Sequence, residues 1–150
     1  MTWGSTAPTA IGRIVTALQT ALPTVDVDNG PIVSDDPALE GVSIGYQNAD
    51  TPAVGGQFAS EGYTSIPNRE KYTVNCALTV RNGDSDNLAA QLRAFVLLGA
   101  VGAALAADHT LAELVLDAHV GEWELTQTQT NTGANARLLF GIDVDAYTTS

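Results

Sequence analysis

From Thr9 onward the apolar residues Ile11, Ile14, Val15, Leu18 and Leu22 recur in three- and four-residue steps, which predicts one buried face of a helix that Pro23 ends. Thr24 to Gly41 is rich in Pro, Gly and Asp. Val25 and Val27 fit a short strand before Asn29-Gly30-Pro31 turns the chain, and Ile32 to Glu40 reads as loop. Val42, Ile44 and Tyr46 alternate with Ser43, Gly45 and Gln47, as in a strand with one face packed and the other wet. Residues 48–68 read as one long polar loop containing Gly55-Gly56, Gly62, Pro52 and Pro67, of a length that orders against a neighbour or serves function.

The clearest strand covers residues 70–81, with Tyr72, Val74, Cys76, Leu78 and Val80 on one face and Lys71, Thr73, Asn75, Thr79 and Arg81 on the other. Asn82-Gly83-Asp84-Ser85-Asp86 then supplies a turn and acidic N-cap candidates for a second helix running from Asp86 to Ala107. Beyond Asp86 that helix carries only Arg93 as a charge before Asp108, and a helix without a polar face needs cover on more than one side. The sheet and first helix can supply that cover, or a second subunit can. Two strands, Leu114 to Thr126 and Asn135 to Tyr147, close the chain as a hairpin around the polar segment Gln127–Ala134. The order α-β-β-β-α-β-β predicts one α+β domain over residues 1–150, a mostly antiparallel sheet of four to five strands backed by two helices.

Composition narrows the function. The formal charge of -11, from 17 acidic against 6 basic residues, argues against a phosphate-tracking groove, because Arg13, Arg69, Lys71, Arg81, Arg93 and Arg137 are scattered. Only 15% of residues are charged, which leaves fewer groups to keep the surface wet and hints at association. The single cysteine, Cys76, lies in the alternating run and reads as a small core residue with no disulfide partner. The N-terminal residues show neither a basic leader nor an apolar core, so no secretory signal is expected. The uncharged run Ala94–Ala107 is shorter than a bilayer span, and no membrane partner is expected.

Candidate chemistry is sparse. Gly41-Val42-Ser43-Ile44-Gly45 matches the G-x-S-x-G pattern of serine hydrolases, but Ser43 lies inside an alternating run rather than at a strand-to-helix turn. A small hydrolase centred on Ser43, with His109 or His119 as base, is the alternative from a different class. Two histidines ten residues apart without Cys partners carry no metal signal, and no cofactor is expected. Asp26-Val27-Asp28-Asn29-Gly30 looks like the start of a calcium loop, yet Val25 falls where the first ligand belongs. Asp143 with Asp145, and Glu122 with Glu124, read as pairs on a solvated or partner-facing sheet surface. No catalytic residue is assigned.

The order of turns and strand ends carries a resemblance. The first helix ends in Ala21-Leu22-Pro23, followed by Asp28-Asn29-Gly30-Pro31, Val42-Ser43-Ile44-Gly45-Tyr46 and the run from Arg69 to Cys76. Asn82-Gly83-Asp84 opens the Ala-rich helix with Arg93-Ala94-Phe95 and Leu97-Leu98; Asp108-His109-Thr110-Leu111 follows, and Gln127-Thr128-Gln129-Thr130 with Gly133-Ala134 precedes the last strand. Over nearly the whole chain this resembles the tail terminator proteins of long, flexible-tailed bacteriophages, especially those infecting actinobacteria. The resemblance implies a virion protein, made in the bacterial cytoplasm, that forms a homohexameric ring on the last ring of tail tube protein. It implies that the ring stops tube growth and meets the head-tail connector or head completion protein, while DNA passes without specific binding. Acidic residues lining such a channel would repel phosphates. Asp26, Asp28, Asp35, Asp36, Glu122 and Glu124 are the candidates for that lining or for a partner face. Another neck component, a head-tail adaptor or head completion protein, shares the size and the ring-forming logic.

Overall fold

A computed structural model describes residues 3–30, 40–63, 65–82, 86–130 and 133–149. The elements follow the order α1 (Ala7–Ala21), β1 (Asp26–Asn29), β2 (Glu40–Ile44), β3 (Val54–Ala59), β4 (Arg69–Asn82), α2 (Asn87–Ala107), β5 (Asp117–Thr130) and β6 (Gly133–Tyr147). The α+β expectation with a mostly antiparallel sheet and two helices holds. Strand number and order are corrected: the described residues form a six-stranded sheet in the chain order α-β-β-β-β-α-β-β, because β3 lies within the segment expected to be loop. Its residues Val54-Gly55-Gly56-Gln57-Phe58-Ala59 hide an alternation behind two glycines, and pairing with the backbone of β4 makes them a strand.

The sheet runs β1-β2-β4-β6-β5, and only β1 and β2 are parallel. β6 pairs with β4 along the whole of β4, so β2 and β3 share its other edge, β2 opposite residues 76–80 and β3 opposite residues 69–74. The last two strands pair as far as Thr130 with Gly133, so the hairpin is longer than the apolar alternation suggests. β2 stops at Ile44, and Gly45 turns the chain at φ +81°, a left-handed conformation that glycine adopts without penalty. Of the segment Ile32 to Glu40 expected to be loop, Glu40 instead opens β2, and residues 32–39 lie outside the described residues.

Both helices lie on one face of the sheet. α1 packs on β1 and β2, and α2 crosses β4, β6 and β5 while touching α1. Ile14 and Leu18 of α1 meet Leu97, Val101 and Leu105 of α2 over Val42, Ile44, Val74, Leu78, Leu138 and Ile142. Ile14, Leu18, Val42, Ile44, Val74 and Leu78 are the in-phase residues of the sequence pattern, and Cys76 is buried among them. Asp86 caps α2 as expected, accepting from the Ala89 amide at 3.1 Å. By length and composition α2 could also cross a membrane, at mean hydropathy 1.8. It lies on the sheet through Ala90, Ala94, Leu97, Val101 and Leu105.

α1 has one local cap, Ser5 Oγ, which accepts from the Ala7 amide at 3.0 Å. Thr6 sits at the N-cap without a capping hydrogen bond from its side chain, and the first turn holds no acid. The negative charge comes from β4: Glu70 Oε1 accepts from Thr6 N at 2.9 Å, Thr6 Oγ1 at 2.7 Å and Ser5 Oγ at 3.0 Å. Thr6 Oγ1 donates its one proton to Glu70, so the Tyr72 hydroxyl, 2.9 Å away, is the donor into Thr6. Burial of this phenol pushes its pKa up to about 12.

Candidate functional site

The face of the sheet without helices carries the candidate acids. Val27 of β1 is buried toward the helices, so Asp26 and Asp28 lie on the other face. Burial, followed by the neighbouring charge of Asp26, raises the Asp28 carboxyl above its ordinary range. On β5 the register slips between Val120 and Trp123, so that Gly121 and Glu122 oppose Gly141 alone. This bulge resets the alternation. It turns Trp123, opposite Phe140, to the helix side and Glu124, opposite Leu139, to the helix-free side.

Glu122 and Glu124 line an open groove of about 660 Å³ with Tyr46, Thr73, Asn75 and Asp143. Gly141 lies in its lining, and a Cβ there would come within 2.8 Å of Thr73 Cγ2. The structure does not gather the acidic set into one cluster. β1 and β5 are the two ends of the sheet, four strand spacings or about 19 Å apart. Asp35 and Asp36 lie outside the described residues.

Further carboxylates share this face. Asp145 takes a two-pronged contact from Arg69 at 2.9 and 3.0 Å, and Arg69 also pairs with Glu61. Asp143 accepts from Thr73 Oγ1 at 2.7 Å. Asp117 stands between the two histidines, 2.6 Å from His119 Nδ1 and 3.4 Å from His109 Nδ1. His109 thus faces a carboxylate. Among the described residues, no three His, Cys, Asp or Glu side chains converge as a metal site requires.

Ser43 is not brought to a histidine. Its hydroxyl donates to the Gly30 carbonyl at 2.5 Å, and it lies on β2, three strand spacings, about 14 Å, from the strand that carries His119. It sits within a regular strand, with no helix following.

The helix side holds what the acidic pattern did not reveal. Leu88, Leu92, Phe95 and Val96 of α2 and Trp123 of β5 are large apolar residues left exposed. The rings of Phe95 and Trp123 meet edge to face at 5.1 Å. The signal was present in the sequence: Leu88, Leu92 and Val96 form a second four-residue row, out of phase with the buried row Ala90, Ala94, Leu97, Val101 and Leu105. A second aromatic pair, Trp3 with Phe58 at 5.0 Å, sits at the β3 edge.

Comparison with known proteins returns no family model that matches the chain and no match among characterised proteins.

Proposed function

We propose that this chain is a structural virion protein, a ring-forming tail terminator that caps the tail tube of a long-tailed bacteriophage, stops its elongation and joins the tail to the head connector. The observation that carries this reading is the exposed apolar row on α2 of a chain whose formal charge is -11. Large apolar side chains concentrated on one helix of an otherwise acidic protein mark a surface made to be covered by protein. The order of turns and strand ends that resembles tail terminators supports the particular assembly.

In such a ring the helix-free sheet face turns toward the channel. Asp26, Asp28, Glu122 and Glu124 then present carboxylates to passing DNA, which repel its phosphates and keep the strand from adhering. The partners are copies of the same chain, tail tube protein below, and a head-tail connector or head completion protein above.

Tube assembly in vitro tests the reading. Tail tube protein polymerised with this chain should stop growing and carry a six-fold ring at one tip in negative stain. Tubes that grow unchecked, with no density at their ends, would refute the terminator role. Binding to the portal side instead would make the chain a head-tail adaptor.

A further inference from the structure

We infer that the outer row of α2 is the contact between successive copies of this chain, and that it seats on the β3 edge of the next copy around Trp3 and Phe58. The inference rests on the ring reading for its closure, and on the surface itself for the contact.

Leu92 is 60% exposed and Trp123 56% exposed, and with Leu88, Phe95 and Val96 they form a continuous apolar surface. Its area is roughly 600 Å², at the upper end of what a monomer shows. A stable protein interface buries about 800 Å² on each partner, so this row has the extent of the apolar centre of one interface. The helix has one charge, Arg93, and that is held aside by Glu40 at 2.5 and 2.9 Å.

Two features favour a copy of the same chain as occupant. First, the chain carries a second exposed aromatic pair. Trp3 and Phe58 cross at 88° on the helix side of the sheet, at the opposite edge from Phe95 and Trp123, which cross at 86°. Phe58 pairs with the buried Glu70, which places it on the helix side, and β3 pairs with nothing beyond β4 among the described residues. A neighbour that brings its β3 edge to α2 leaves its own α2 free for the following copy. A head-to-tail contact can close into a ring when its rotation is a whole fraction of a turn, whereas a self-matched patch stops at two. Second, charge decides where acidic copies can meet. Asp117, Glu124, Asp143 and Asp145 occupy the helix-free face, so contact through the helix side keeps like charges on the far side of each sheet.

Engineered cysteines test the contact in the full chain, alone and on tail tubes. The native Cys76 is buried and its thiol pushed up to about 12, so it stays silent to oxidant. A Leu92→Cys/Phe58→Cys double variant should give a ladder of cross-linked multimers on oxidation, and neither single variant should give more than monomer. Dimers from Leu92→Cys alone would show a two-fold contact and overturn the inference. Rings of normal mass without the ladder would assign the row to another partner, overturning the contact but leaving the ring reading in place. A Leu92→Glu/Val96→Glu variant is the second arm: both positions are exposed, so its circular dichroism and melting should match the parent while ring formation is lost. Rings that persist in this variant would also overturn the contact. A parent that neither associates nor binds tubes would take the ring reading down with it.

Discussion

Replacing Glu70 by alanine should destabilise the protein by about 2 kcal/mol, and the figure follows from the atoms involved. Glu70 is 2% exposed, and its Oε1 receives three hydrogen bonds from the start of α1. Bonds to a charged acceptor contribute about 1.5 to 3 kcal/mol each, so the gross loss is large. Two effects reduce it. Ser5 is only half-buried, and water reaching it takes the place of the lost acceptor. Glu70 Oε2 is buried without a donor among the described residues, so deletion also relieves an uncompensated desolvation. What remains is the loss of a helix cap and a buried Thr6 amide without an acceptor, while the Thr6 hydroxyl can turn to donate to the Tyr72 oxygen 2.9 Å away. For a chain of this length about 2 kcal/mol lowers Tm by about 6 °C. Glu70→Gln keeps the acceptor without its charge and should lose about half as much. Urea unfolding followed by circular dichroism reads the change as a shift in midpoint at constant slope. Amide exchange in the first turn of α1 should accelerate. An unchanged or raised Tm for Glu70→Ala would refute the claim that this carboxylate holds α1 to the sheet.

Three further outcomes follow from buried and strained groups elsewhere in the fold. Tyr72 and Cys76 are both neutral when protonated, and burial pushes each up to about 12 from 10.0 and 9.0, so they hold protons that the unfolded chain releases. Their stabilising contribution is complete below pH 9 and is lost as pH climbs toward 12; urea midpoints should fall across that alkaline range, and Tyr72→Phe should flatten the fall. Leu111, Ala112 and Glu113 adopt φ of 50°, 58° and 66°, held by Asp108 and by Arg13 on the Leu111 carbonyl at 2.7 Å. Ala112→Gly removes one left-handed penalty and should raise Tm by about 2 °C, where a lower Tm would show that the turn is unstrained. At Gly56 a Cβ would lie 2.5 Å from the Lys71 carbonyl oxygen and from Tyr72 Cβ, so Gly56→Ala should cost about 2 kcal/mol and weaken β3, seen as faster amide exchange there.

How much of this was legible follows the strength of each local pattern. β4 and β6 announced themselves because their apolar residues alternate over 14 and 15 residues, and α2 because Arg93 is the one charge in an apolar, Ala-rich run of 21 residues. β3 did not, since four of its six residues are Gly, Gln or Ala and all but Val54 are exposed; its strand character comes from a partner chain segment. The bulge in β5 left a trace in the sequence: the apolar residues change parity from Ala118 and Val120 to Trp123 and Leu125, and pairing with Gly141 shows that this break is a bulge. The acidic positions were readable one by one, but that Asp26 and Glu124 stand at opposite ends of the sheet is a matter of strand order, which no local pattern encodes. Glu70 is the instructive case. It is in phase with Tyr72 and Val74, a charged residue on the buried face, and that mismatch is itself the sign of a buried partner.

The most direct test of the assembly reading is the mass of the purified chain by light scattering over a concentration series, with and without tail tubes, and imaging of every large species. Six copies of the 15.6 kDa chain in a six-fold ring, free or seated on a tube tip, is the predicted result. A monomer at every concentration that leaves tube ends bare would contradict it.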